Sequence, residues 1–511
     1  MSSRIDEGLA NIPMEYRLAL LNSALFLMLA GIQNSVVQTE SLTWILLPNI
    51  TFFISSVIIW AFMMQRGWCL APISWFILGS GLFFGFGVIA GGLHAHPWSA
   101  ELYGDDTSYL LQVNLLNSVS VFIVLLATLF FIGGKKTPKE RCDLDFGIQY
   151  KNIILAFSLF SMLIVFLRFY FFPDTYNLIL RSILAKAYFF LPAAFLILGF
   201  INRKIGVSFF ILLGVMFFQI AYGVLQFNKY EILMPCMACL AGSLIFSSAY
   251  KKPLKIILAI VVIFWISNPL VAIGRLDYRY DPNSNTLLQR VEILSDVVKA
   301  SYGGSVGTIR HLTPAEDGQK QQMILIDMAP RTEFWERFRA IGVRFDVASI
   351  QGYLIKEYEA GRSGDSLKDF WAAIVPRVFW PSKPIVTRFG SELNVQYYKS
   401  AVQASSSIAP TYDGEAYWNY GWLGLILISA YLGLTFGFFT RIALKAGEDK
   451  NIAYFLVAFH LILPAVFVES WIASTYIGGL VTVIVYYFLI KSLLECGKKI
   501  KPSKLAEKKA R

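Results

Sequence analysis

The sequence predicts an all-α polytopic membrane protein of about 12 transmembrane helices, with one large, mostly helical extracytoplasmic loop between the ninth and the tenth. Three observations carry that expectation. Of the 511 residues, 56% are hydrophobic and only 15% charged, where soluble domains carry about 25% charge. Apolar runs of roughly 20 residues recur, the length that crosses a hydrocarbon core about 30 Å thick. Basic residues fall in alternate connecting loops, the arrangement that orients membrane helices.

Runs bounded by charges, Pro/Gly turns or aromatic anchors lie at 18–36, 42–64, 70–93, 110–132, 153–172, 188–200, 206–226, 232–250, 256–273, 416–440, 452–468 and 471–490. The sixth is short and must extend back through Arg181 and Lys186 to cross. With the amino terminus cytoplasmic, the inner loops hold Arg66, Lys135, Lys136, Arg203, Lys204, Lys251, Lys252, Arg441 and Lys445, while the outer loops at 38–41 and 94–108 hold no Lys or Arg. Both termini are then cytoplasmic. The organisation is residues 1–17 inside, nine helices over 18–273, an outer cap over 274–414, three helices over 415–490 and a basic cytoplasmic tail over 491–511. The polar first 17 residues make the leading helix an anchor and not a cleaved signal.

The composition excludes a soluble enzyme, a disordered chain and a disulfide scaffold, the last because there are only five Cys. The net charge of +11 does not form a nucleic-acid face. Residues 275–415 carry 17 basic and 17 acidic side chains, and the tail from Lys491 carries 8 basic and 2 acidic. Cys236 and Cys239 have redox spacing, but inside the eighth span they read as small packing residues.

Within the cap, Leu287, Val291, Leu294 and Val298 form a helical stripe behind Asn caps, and a second helical run from Ser366 stops before Pro376. Cations on the outer side run against the orientation trend. Arg168, Arg181 and Lys186 lie at the fifth and sixth spans, and Arg337 and Arg344 share a helical face in the cap. A lipid pyrophosphate would supply their counter-anion, with Arg making bidentate contacts; snorkelling to the interface is the plainer alternative.

The most informative stretch is PRVFWPSKP from Pro376 followed by SSSIAPTYDGEAYWNYGWLGL from Ser405. Prolines fix the turn, Phe379 and Trp380 are suited to the headgroup layer, and Arg377, Lys383 and Arg388 are held at phosphate height. Gly414 and Glu415 then open the tenth helix, where a carboxylate meets the positive end of the dipole. This segment resembles the Wzy-type oligosaccharide repeat-unit polymerases in its Pro-Arg, aromatic, Lys-Pro turn and its Gly-Glu-x-Tyr-x-Asn-aromatic-Gly-x-x-Gly helix entry. Those positions are Pro376, Arg377, Trp380, Lys383 and Pro384, then Ser407, Pro410, Gly414, Glu415, Tyr417, Asn419, Gly421 and Gly424.

The resemblance implies glycosyl transfer at the outer face of a bacterial inner membrane. A glycan on undecaprenyl pyrophosphate is joined to a lipid-linked repeat unit, without nucleotide sugar, metal or other cofactor. The implied partners are the lipid-linked donor and acceptor, the bilayer, a chain-length regulator and a flippase, but no nucleic acid. Arg377, Lys383, Arg344, Arg388, Arg337 and the group Arg168, Arg181 and Lys186 are the candidate pyrophosphate cations. Glu415, with Asp413 second, is the candidate base.

Three other readings remain open. His94, His96, Glu101, Asp105 and Asp106 offer metal ligands for a polyprenyl-phosphate-sugar transferase. An O-antigen ligase uses the same donor. Twelve spans with both ends inside is also a carrier layout, for which His460 and Glu469 are the ionisable candidates.

Overall fold

The computed structural model describes residues 71–92, 108–133, 207–229, 251–276, 286–302, 307–312, 323–328, 346–375, 409–449 and 468–480, with isolated residues and short pieces between. In chain order the helices are α1 (Pro72–Gly92), α2 (Tyr109–Ile132), α3 (Val207–Leu225), α4 (Lys251–Leu276), α5 (Leu287–Tyr302), α6 (Val347–Glu359) and α7 (Tyr412–Asp449). A 3-10 turn at Phe370–Ala373 and a π-helix at Ile472–Ile477 complete them. Between α5 and α6 the helical cap contains a two-stranded antiparallel ribbon, β1 (Gly307–Leu312) with β2 (Met323–Met328), in the register Gly307 opposite Met328.

Among the described residues, three helices are long and apolar enough to cross a membrane, over Pro72–Ala90, Tyr109–Ile132 and Tyr412–Leu444. These and α3 and α4 coincide with five of the runs read from sequence. The run at 471–490 is described over 471–480, and those at 153–172, 232–250 and 452–468 only in short pieces. The runs at 18–36, 42–64 and 188–200, the basic tail, and Arg168, Arg181, Lys186, Arg337, Arg344, Arg377, Arg388, His94, His96, Glu101, Asp105, Asp106 and His460 lie outside the described residues.

The packing of α2 on α7 follows from small residues on one and hydroxyls on the other. A Cβ on Gly433 would lie 2.5 Å from the Val124 carbonyl and 2.6 Å from the Ala127 Cβ, and one on Gly437 would lie 2.8 Å from the Phe131 Cβ. Two glycines four apart let the backbones touch. Thr128 Oγ1 donates to the Gly433 carbonyl at 2.9 Å, and the Ser120 and Ser429 hydroxyls meet at 2.7 Å. Outward, Phe122, Leu126 and Phe130 of α2 and Leu423, Ile426, Leu427 and Leu434 of α7 are exposed at helical spacing. These are apolar faces suited to lipid.

Contacts advance along both helices together, from Ser120 with Ser429 to Arg441 with the Ile132 carbonyl. The two therefore run parallel. α1 runs against them, since Val88 clusters with Tyr109 and Leu110 while Phe76 lies 5.1 Å from the Phe436 ring. A chain that spans with both helices in one direction must cross an odd number of times between residues 133 and 421.

α7 is not one rod. A straight helix of 33 residues would be about 50 Å long, well beyond a bilayer core. Tyr420 (φ −139°) and Gly421 (φ 59°, ψ −146°) break it. The backbone of Ala416 sits against Gly424, and Tyr412 reaches Ser120 beside Ser429. Residues 412–419 are thus a short arm folded back along the spanning arm that begins at 422. The straight helix expected to open at Glu415 begins at Trp422 instead, because Gly421 adopts a positive-φ backbone that only glycine takes freely.

The cap helix α5 is also turned relative to expectation. Arg290, Ile293, Val297 and Ser301 are buried, with Ile293 and Val297 against Phe227, Leu270 and Val271, whereas Val291 and Val298 face outward. Cys236 and Cys239 are buried thiols outside any disulfide, with their sulfurs near the Ile232 carbonyl and the Met216 sulfur. That fits the packing role read for them.

Candidate functional site

The site is assembled where the folded-back arm meets the cap and the last helix. Thr411 starts the arm as its N-cap, its Oγ1 accepting the Gly414 amide at 3.3 Å. Before it the chain is extended, and Thr411 forms a β-bridge with Glu469 while the Tyr412 amide donates to the Val468 carbonyl. The stretch that leads into the arm therefore pairs with the one that leads into the π-helix, beside the acidic pair. Asn117, eight residues into α2 and so about 12 Å along it, is at this level through its bond to Gln351. Non-helical backbone at such depth requires protein cover, which α1, α2 and α6 supply.

Glu415 is fully buried. Its Oε1 accepts the Ser366 hydroxyl at 2.8 Å and its Oε2 accepts the Ile472 amide at 2.7 Å. Ile472 opens the π-helix, so the carboxylate satisfies one of that helix's orphan N-terminal donors and meets its positive end. Asn419, one turn on, donates to Ser366 Oγ at 2.9 Å and accepts the Leu367 amide at 3.1 Å. Trp418 Nε1 donates to the Arg362 carbonyl, and the Gly364 amide returns to the Trp418 carbonyl at 3.0 Å. Glu415, Trp418 and Asn419 thus clamp residues 362–367 of the cap to the arm.

Asp413, also fully buried, accepts the Gly414 amide on Oδ1 at 3.0 Å, while its Oδ2 has no hydrogen-bond partner. Of the two carboxylates read as a base, Glu415 has both oxygens engaged and Asp413 has one open. Outside the spans, burial pushes the Asp346 carboxyl up to about 6, opposed by two hydrogen bonds from Ser349. Asp346 is the N-cap of α6, accepting the Ser349 amide and hydroxyl at 3.1 and 2.8 Å.

Lys383 is the one described member of the predicted cation set. Its ammonium donates to the Ala372 and Val375 carbonyls at 2.9 and 2.7 Å, so it caps the end of the 3-10 turn. Beside it Trp371 and Trp380 stack at 4.9 Å, and Phe379 is 80% exposed. An exposed aromatic edge is what a headgroup-layer anchor presents. The structure brings together Asp413, Glu415 and the cap segment at Ser366; Lys383 lies in the neighbouring turn.

Sequence reasoning passed over Asn117, Gln351 and Ser366, and the paired glycines Gly433 and Gly437. The available signal for the first was a polar row, Asn114, Asn117 and Ser120, inside an otherwise apolar run, all of it buried. Among the described residues no group of three or more His, Cys, Asp or Glu is placed to hold a metal. No family model, curated protein or solved structure matches the chain.

Proposed function

We propose that this chain is a glycosyltransferase of the bacterial inner membrane, polymerising undecaprenyl-pyrophosphate-linked oligosaccharide units at the outer face. It is a polytopic protein of about twelve spans in this reading, with the cap over 274–414 outside. The observation that supports it is the clamp. The Gly-Glu-x-Tyr-x-Asn stretch that carries the family resemblance is buried and ties the cap, through Ser366 and Leu367, to the head of the last helix at Ile472.

Within this reading the acidic pair supplies the base for the attacking hydroxyl, and the open oxygen of Asp413 places it ahead of Glu415. Arg377, Arg388, Arg344, Arg337, Arg168, Arg181 and Lys186 are the proposed cations for the developing pyrophosphate charge. Purified protein reconstituted with a lipid-linked oligosaccharide should build a ladder of chain lengths. Arg377→Ala and Asp413→Asn should abolish the ladder while leaving insertion intact; wild-type protein that makes no ladder from matched substrate sinks the proposal.

A second reading, a lipid-linked oligosaccharide carrier, has an observation of its own. Interrupted helices beside buried polar groups are the usual substrate or ion site of carriers, and α7 is broken at Tyr420 and Gly421 after the buried Asp413, Glu415 and Asn419. Counterflow of labelled substrate in proteoliposomes without glycosidic bond formation would favour it.

A further inference from the structure

Three side chains from three helices converge beneath the clamp. Asn117, Gln351 and Asp413 are each no more than 1% exposed. Gln351 Nε2 donates to Asn117 Oδ1 at 2.6 Å. Gln351 and Thr411 also make looser hydrogen-bond contacts with the Asp413 carboxylate, and the Gln351 Cγ lies 3.1 Å from where a Cβ on Gly414 would stand. Three atoms of this trio have no partner: Asn117 Nδ2, Gln351 Oε1 and Asp413 Oδ2.

The three unpartnered atoms are one donor and two acceptors. That balance does not depend on how the two amides are oriented, because turning both over exchanges their roles and again leaves one donor and one acceptor beside Asp413 Oδ2. A water molecule has the complementary set, two hydrogens to give and a lone pair to receive. A monovalent metal ion does not, since it leaves the amide N–H unmet.

We propose that Asn117, Gln351 and Asp413 bind one water and that Asp413, behind it, is a proton-loading carboxylate in contact with the outer side of the membrane. An ionisable side chain at this depth is costly unless it has such work. A discontinuous row of polar groups lies to either side of it. Ser349 Oγ lies 2.8 Å from Asp346 Oδ1 and 3.4 Å from the Tyr109 hydroxyl, two residues before Gln351. Inward, the Ser120 hydroxyl donates to the Tyr412 hydroxyl at 2.7 Å and meets Ser429, which ends the row.

The ionisable groups around Asp413 are Tyr412 and Glu415 on its own arm and Tyr476 from the π-helix. α6 contributes Gln351 with Asp346 at its N-cap and, further along, Lys356 over the Tyr103 ring. From α2 and α1 the described neighbours of this arm are uncharged, namely Asn117, Ser120, Phe76 and Phe84. The proposal holds for either activity above, because it concerns only the proton on Asp413.

Infrared difference spectra of the purified protein in nanodiscs, taken as pH is stepped across the neutral range, test it. A protonated-carboxyl band should titrate in wild type, survive Glu415→Gln and vanish in Asp413→Asn. It should shift in frequency in Asn117→Leu, which removes the donor to the water, and move within mixing time when wild type is transferred to D2O. A band unchanged in Asp413→Asn overturns the proposal, as does exchange as slow as that of core amides. Displacement of the band by Na+ but not by K+ would assign the site to a metal ion and overturn the water. The D2O measurement needs no variant, so misfolding of a mutant leaves the test intact.

Discussion

The Glu415 carboxylate accepts the Ile472 amide at 2.7 Å and the Ser366 hydroxyl at 2.8 Å, so one buried side chain joins parts of the chain 49 and 57 residues away. Glu415→Ala leaves both donors buried without an acceptor, each worth about 1–3 kcal/mol. Its thermal unfolding in detergent should come at lower temperature by an amount equivalent to about 2–5 kcal/mol. Ser366→Ala should cost about 1 kcal/mol, and the double variant should cost less than the sum of the two.

Two glycines in spanning helices should respond oppositely to a methyl group. Gly433→Ala drives a Cβ to 2.5 Å from the Val124 carbonyl, which forces α2 and α7 apart at about 1–3 kcal/mol. Gly214→Ala meets nothing within 4 Å, and helix propensity alone then stabilises by up to about 1 kcal/mol. Unfolding of the two variants side by side checks the pair.

Ser120 and Ser429 touch at 2.7 Å between hydroxyls, close enough for cysteines there to bridge after a small rotation. The pair Ser120→Cys and Ser429→Cys should form a disulfide on mild oxidation. Phe130→Cys with Ser429→Cys should not, because Phe130 is 85% exposed and about 15 Å further along α2 than Ser120. Mobility on non-reducing gels reads the result.

Asp346 sets a pH dependence. Its carboxyl is raised in the fold from 3.8 to about 6, so the native state holds the proton more tightly than the unfolded one. The associated stability is complete below about pH 4 and is lost as pH rises through about 6. The loss is on the order of 3 kcal/mol. Asp346→Asn keeps an N-cap and should flatten that part of the stability curve, measured by unfolding at fixed temperature across the window.

Phe379 and the stacked Trp371 and Trp380 should sit among lipid headgroups. A spin label at Phe379→Cys, in a background without the five native cysteines, should relax with oxygen more than with a water-soluble nickel reagent. The reverse ranking would place the turn in water.

The spanning helices were legible because they obey one-dimensional rules. α1 and α2 begin and end within two residues of apolar runs bounded by Gly and aromatic residues. The folded-back arm was not, because residues 416–440 read as one apolar helix and the break rests on the backbone of Tyr420 and Gly421. Faces were harder than elements. On α5, Val291 and Val298 belong to a plausible stripe, yet the core selected the stripe one residue earlier, through Ile293 and Val297. The acidic pair was found from a local motif, whereas its surroundings, Asn117, Gln351 and Ile472, come from three distant segments that no local pattern connects.

The parallel pairing of α2 with α7 also sets an order of events during synthesis. Ser120 meets Tyr412 and Ser429 across 292 and 309 residues of chain. At about 5–20 residues per second the ribosome takes roughly 15–60 s to supply them. For that interval Asn114, Asn117 and Ser120 lie in the bilayer without their final neighbours, so α2 waits as a helix with an uncovered polar side. A cell that makes this protein must shelter that intermediate, and slowing translation after residue 132 should lengthen its exposure to membrane proteases.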